Sequence, residues 1–125
     1  MSMPSLFDTT IGRLSYGLDG LSQRQSLIAD NVANVDTPGY LTHDTTFEQS
    51  LTQAMQSQTI GGNGLPQGQP DAITRTDLRT RNDGNNVDIN QQMTEMAQTT
   101  VTYEAATQLI SSKFSLLASA IAPIS

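Results

Sequence analysis

The chain has 125 residues, six basic and twelve acidic side chains, a net charge of −6 and a pI near 4.3. That length fits one domain or one long hairpin rather than a multidomain enzyme, and the acidic balance leaves no electrostatic footprint for nucleic acid or an anionic membrane. With no cysteine and one histidine, a disulfide framework, a thiol nucleophile and a thiolate or His-rich metal site are excluded.

The N-terminal stretch carries neither a basic n-region nor a continuous apolar h-region, and no run approaches the ~18 apolar residues of a membrane span. No cleaved signal peptide is expected. Phe7, Ile11, Leu14, Leu18, Leu21, Gln25, Ile28, Val32 and Val35 alternate at spacings of four and three, the seam of a heptad helix from about residue 5 to 34. Gly12, Gly17 and Gly20 interrupt it, each weakening the helix by up to ~1 kcal/mol relative to Ala. Such a helix needs partners.

Asp36-Thr37-Pro38-Gly39-Tyr40 then reads as a turn, Pro38 presetting the first corner and Gly39 supplying the positive φ of a type II second corner. Phe47, Leu51 and Met55, four apart, predict a short helix over about 45–56. The Gly- and Pro-rich run at 60–70 has almost nothing to bury and is expected to be a mobile loop. Arg75, Arg79 and Arg81 follow, expected as a solvated patch rather than a nucleic-acid site and, in an acidic subunit, able to pair with carboxylates of an adjacent chain. Asn82-Asp83-Gly84-Asn85-Asn86 marks a second turn.

The last third repeats the heptad spacing through Met93, Met96, Thr100, Tyr103, Thr107, Ile110, Phe114, Leu117 and Ile121, starting at an Asp88 or Asn90 N-cap and stopping near Pro123. Leu109, Leu116 and Ala120 add a second apolar stripe, so this end is expected to be buried on two sides. The expected architecture is all-α: an elongated two-helix coiled-coil hairpin, with an N-terminal helix over 1–35, an irregular middle over 36–87 and a C-terminal helix over 88–125. Two helices alone seldom make a sufficient core. The second helix also carries only Glu95, Glu104 and Lys113 among Thr, Ser and Gln, where a solvated helix carries many charges. Hydroxyls and amides can be buried against identical neighbours without stacking like charges. Packing inside a larger assembly is therefore expected.

No residue set supports chemistry. His43 beside Asp44 has no second His or Cys, Gly61-Gly62-Asn63-Gly64 lacks the Gly-Lys-Ser/Thr of a phosphate loop, and aligning Gly84 with the EF-hand glycine puts Arg79 at the first ligand position. No catalytic residue, metal or cofactor is expected.

The segment Asp30-Asn31-Val32-Ala33-Asn34-Val35-Asp36-Thr37-Pro38-Gly39-Tyr40 closely resembles the signature of bacterial flagellar rod and hook proteins, in which the first helix ends in Asn-x-x-Asn-x-x-Thr-Pro-Gly-Tyr. The signature turn comprises Asn31, Asn34, Asp36, Thr37, Pro38, Gly39 and Tyr40. Gly84-Asn85-Asn86-Val87-Asp88, Tyr103-Glu104-Ala105, Lys113-Phe114 and Ala120-Ile121 are similar to the proximal-rod members, as is the short middle. The resemblance covers roughly 5–56 and 82–122. It implies a non-enzymatic, polymerising subunit of the basal-body rod that carries torque from the motor to hook and filament and is required for motility. It also implies export through the flagellar type III apparatus without cleavage, and a place on the periplasmic side. Implied partners are other copies of the chain, the rod protein FlgC, the rod adaptor FliE, the MS ring and, during secretion, the export gate.

Several residues carry two readings. Phe7 and Ile11 serve the seam, and Phe7-Asp-Thr-Thr-Ile11 also resembles a Phe-x-x-x-aliphatic export motif. Asn31 and Asn34 either cap the helix or contact another subunit, and Tyr40 is a turn residue or an anchor on a neighbour. The seam residues Leu14, Leu18, Leu21, Ile28, Val32, Met93, Met96, Tyr103, Ile110, Phe114, Leu117 and Ile121 are expected to pack the hairpin and its assembly. A soluble helical hairpin that regulates or chaperones one partner fits the heptads equally well. It does not explain the signature turn or the charge-poor outer faces.

Overall fold

A computed structural model describes residues 3–56 and 71–121, with side chains over 10–53 and 71–120. The loop expected at 60–70 lies outside the described residues, as do the side chains of Phe7, Met55 and Ile121. Helix α1 (Met3–Ala33) leads through the Pro-Gly turn to strand β1 (His43–Thr45) and helix α2 (Phe47–Gln56); strand β2 (Ala72–Thr74) then precedes helix α3 (Ile89–Ile121). Asn31 meets Gln92 while the earlier Gln25 reaches the later Thr100, so α1 and α3 run antiparallel as a hairpin. The all-α hairpin expected from the heptads is what forms. To it the middle adds a two-stranded antiparallel ribbon, pairing His43 with Thr74, Asp44 with Ile73 and Thr45 with Ala72.

Each helix end has a local cause. The Asp88 carboxylate accepts from the amides of Asn90 (3.0 Å) and Gln91 (3.2 Å), so Asp88 is the N-cap of α3. At the end of α1, the Asn34 amide and its side-chain Nδ2 both donate to the Asp30 carbonyl, at 3.1 and 2.8 Å. The chain then reverses at Gly39, whose φ is +77°, and the Tyr40 amide donates to the Thr37 carbonyl at 3.2 Å. Those two features define the type II turn read from Pro38-Gly39.

Helix α2 docks on α1 through one notch. Phe47 lies against the backbone of Gly20 in a small core with Tyr16 and Leu21, flanked by Leu51 and Tyr103, while the Arg24 guanidinium covers the ring at 4.9 Å. A Cβ on Gly20 would overlap the ring, with Cδ1 only 2.7 Å away. Gly20 is therefore required by close approach, and its helix penalty is offset by burying an aromatic side chain.

On α1, Leu21 and Ile28 are buried and Ile11, Leu14, Leu18 and Val32 half-buried, as is Val35 just beyond its end, matching the expected stripe. On α3 the register differs. Gln92 and Thr99 are buried and Met96, Tyr103, Ala106, Ile110, Lys113 and Leu117 half-buried, whereas Met93 is 56% and Phe114 51% exposed, and Thr100 and Thr107 are also exposed. Met96, Tyr103, Ile110 and Leu117 thus occupy the inward stripe, and its alternate positions are one residue earlier than the apolar pattern proposed. The reason is polar. Buried Asn31 needs an acceptor, Gln92 provides it, and that bond sets the rotation of α3 ahead of the larger apolar side chains.

Candidate functional site

The end of α1, the Pro-Gly turn, β1 and the approach to α3 are knitted together by asparagine side chains. Asn31, 1% exposed, uses its full hydrogen-bonding capacity. Its Nδ2 donates to the His43 carbonyl (2.9 Å) and Gln92 Oε1 (2.8 Å), and its Oδ1 accepts from the His43 amide (2.9 Å) and the Tyr40 hydroxyl (3.2 Å). One side chain thereby substitutes for a neighbouring strand and joins α1, the turn, β1 and α3.

The second turn answers the first. Gly84, with φ +85°, faces Gly39 so closely that a Cβ on it would sit 3.3 Å from the Gly39 Cα. The Gly39 amide donates to the Asp83 carbonyl at 2.9 Å. Asn85, fully buried, donates to the Asn34 and Thr37 carbonyls (both 2.9 Å) and accepts from the Val87 amide at 2.7 Å. Asn86 accepts from the Thr42 amide and donates to the Arg75 carbonyl, each at 2.6 Å. Arg81 donates to the Val87 carbonyl at 2.8 Å and to the Val35 carbonyl, tying the exit of α1 to the entrance of α3. Thr37 donates its hydroxyl to Asn34 Oδ1 at 3.1 Å, whereas Asp36 and Pro38 are exposed. The signature turn is one half of a clasp whose other half is Arg81 to Val87.

Tyr40 points into this clasp. Besides Asn31 it meets the His43 ring, centroids 5.3 Å apart. Partial burial, with the Asp30 carboxylate adding to it, raises the phenol above its ordinary pKa. In the subunit Asn31, Asn34 and Tyr40 all serve intrachain contacts.

The arginines expected to meet another chain are largely engaged at home. Arg75 forms a two-pronged bond to Asp77, both contacts 2.7 Å, and its other nitrogen lies 3.7 Å from Asp44. Arg24 shares Asp44 at 3.5 Å and also holds Glu48. Arg81 is consumed by the clasp, and Arg79 is exposed. The hydrogen bond from Arg75 depresses the Asp77 carboxyl from the ordinary 3.8 to about 2. Because the folded-state pKa is lowered, the pair contributes above the unfolded pKa and is lost as pH falls through about 2. A carbon-13 titration of Asp77 is expected to show a midpoint near 2, returning toward 3.8 in an Arg75→Ala variant. An unchanged midpoint in that variant contradicts the pairing.

Among the described residues no three His, Asp or Glu side chains converge as metal ligands, and no helix is long and apolar enough to cross a membrane. The chemistry of Gln92, Asn85 and Asn86 does not by itself mark them in the sequence, and that of Arg81 points outward to another chain rather than into the clasp. The signal that could have found them is the density of Asn around Gly84, which marks backbone in need of side-chain partners.

A family model described as "Flagella basal body rod protein" matches residues 15–40, from the α2-docking face of α1 through the signature turn. The class that this match indicates is that of the flagellar basal body rod proteins. The flagellar basal body rod protein FlgB of Aeromonas hydrophila is 32% identical over 92% of this chain and 94% of its own length. FlgB of Bacillus subtilis (strain 168) is 30% identical over 90% of this chain and 93% of its own length, and FlgB of Borrelia hermsii 31% over 84% and 90%. With likeness of that extent, the chain belongs to the FlgB family of flagellar basal body rod proteins, as a structural subunit of the rod.

Proposed function

We propose that the chain builds the proximal rod on the periplasmic side of the basal body and passes torque from the motor toward hook and filament by mechanical contact alone, with no catalytic residue. The observation that carries this reading is the surface of α3, where Met93, Val101, Leu109, Phe114 and Leu116 are large, apolar and each more than half exposed. Apolar side chains in such number along one helix mark contact surfaces. The clasp gives the complementary property: with its asparagines satisfied inside the chain, α1 and α3 leave it at a fixed rotation and torsion is carried by contacts between subunits. Segments 1–35, 36–87 and 88–125 act as one elongated unit. Other copies, FlgC, FliE and the MS ring are the proposed neighbours.

Export without cleavage through the type III gate is proposed to use Phe7 and Ile11 before the chain folds; Phe7→Ala is expected to lower secretion, and normal secretion with poor assembly leaves only a packing role. The test of the whole reading is deletion of the chain followed by electron microscopy of basal bodies. Rings without a rod and loss of swimming are expected. Intact rods in altered numbers contradict it.

A further inference from the structure

Between α1, α2 and α3 lies an open cleft of about 560 Å³. Its floor is Gly17 and Leu21, one wall is Phe47 with Glu48, and the other is α3 through Glu95, Thr99 and Thr102. Gly17 sets this cleft apart. Like Gly20 it has an ordinary helical φ, but a Cβ built on it meets nothing within 4 Å. A glycine inside a long helix lowers its stability, yet no described contact within the subunit needs this one. What the missing side chain leaves is bare backbone at the bottom of a groove, where another helix can approach closely.

We propose that this cleft seats the C-terminal half of α3, residues 105–121, of a second copy of the chain. The charges select that occupant. The rim carries Asp44, Glu48 and Glu95, and Arg24 is already bound to the first two. The chain as a whole is acidic, with a net charge of −6, so most of its surface is repelled from such a rim. Residues 105–121 hold no acid, and their single charge is Lys113, of the sign the rim accepts. The same stretch presents Leu109, Phe114 and Leu116, each more than half exposed, so the groove and the ridge that needs covering lie on different parts of one subunit. A contact between two different surfaces of identical chains does not close on itself as a dimer; repeated, it builds a ring where the rotation closes and a helical stack where it does not. This deepens the rod reading and rests on it.

Two experiments test the docking. Gly17→Leu fills the cleft from a position with free space, so the purified variant is expected to melt at or above the wild-type temperature while swimming is lost and rods are absent. Wild-type swimming by this variant overturns the proposal, whereas wild-type swimming by the deletion strain overturns the rod reading itself. Because the chain has no cysteine, Gly17→Cys can also be paired in turn with Leu109→Cys, Phe114→Cys and Leu116→Cys, and whole cells oxidised. A ladder of dimers, trimers and larger species from at least one double variant, with none from either single variant, is the expected result. Monomer bands from all three pairs, or dimers from single variants alone, overturn the proposal.

Discussion

Replacing Asn31 with Leu is expected to unfold the clasp, lowering stability by about 3–5 kcal/mol in urea titrations at fixed protein concentration. The residue is 1% exposed and its four hydrogen bonds go to Gln92, Tyr40 and both backbone groups of His43. Leu fills a similar volume and satisfies none of them. A buried donor or acceptor left without a partner costs ~1–3 kcal/mol, and the substitution takes the Asn31 partner from both the His43 amide and the Gln92 oxygen. Adding Gln92→Leu removes one orphan and is expected to restore about 1 kcal/mol, giving the two sites a measurable coupling. The signature is lost wholesale rather than by degrees, because the same side chain connects the helix, the turn, the strand and the opposite helix. A cost under 1 kcal/mol for Asn31→Leu contradicts this view of the clasp.

The second large effect is a difference in sign between two glycines on one helix. Gly17→Ala is expected to stabilise the isolated chain by about 0.5–1 kcal/mol, the usual gain of Ala over Gly in a helix interior, because nothing stands near its Cβ. Gly20→Ala gains the same propensity and loses more. Its Cβ overlaps the Phe47 ring, which is 4% exposed and held between α1 and Arg24, so α2 must lift away. Overpacking of this kind costs ~1–3 kcal/mol, and more when backbone has to move. The net expectation is a loss of about 2 kcal/mol for Gly20→Ala. Thermal melts of both variants at one concentration decide it; two shifts of the same sign contradict the notch.

The heptad spacing made both long helices readable from sequence to within a few residues, and Pro38-Gly39 made the turn readable down to its type. Those signals are local, set by side-chain period and by the φ that Pro and Gly permit. The ribbon was not legible: His43–Thr45 and Ala72–Thr74 are too short to alternate, lie far apart in sequence and include Asp44 and Ala72, residue types depleted from strands. Nor was the rotation of α3. Choosing the most apolar path through Met93, Thr100, Thr107 and Phe114 assumes that burial of carbon sets the seam, whereas the Asn31–Gln92 bond sets it and turns Met93 and Phe114 outward. The signature residues were recognised as a pattern, but their purpose was not. Asn34 and Asn31 are commonplace near a helix end, and only the fold brings His43 and Gln92 to the Asn31 side chain and Asn85 to the Asn34 carbonyl. Arg75 looked like a contact for another subunit because Asp77, two residues on, is no obvious partner until the loop folds back onto Thr42 and Asn86.

The clasp is complete within one chain, whereas the stems are not: from Glu104 to Ala120 no residue of α3 is fully buried. The most direct test of that division is the helix content of the purified chain, followed by circular dichroism through a dilution series with a thermal melt at each step. If neighbouring copies complete the stems, helicity falls and the melt broadens as the chain is diluted. A compact monomer, strongly helical, cooperative in melting and unchanged by dilution, would contradict it.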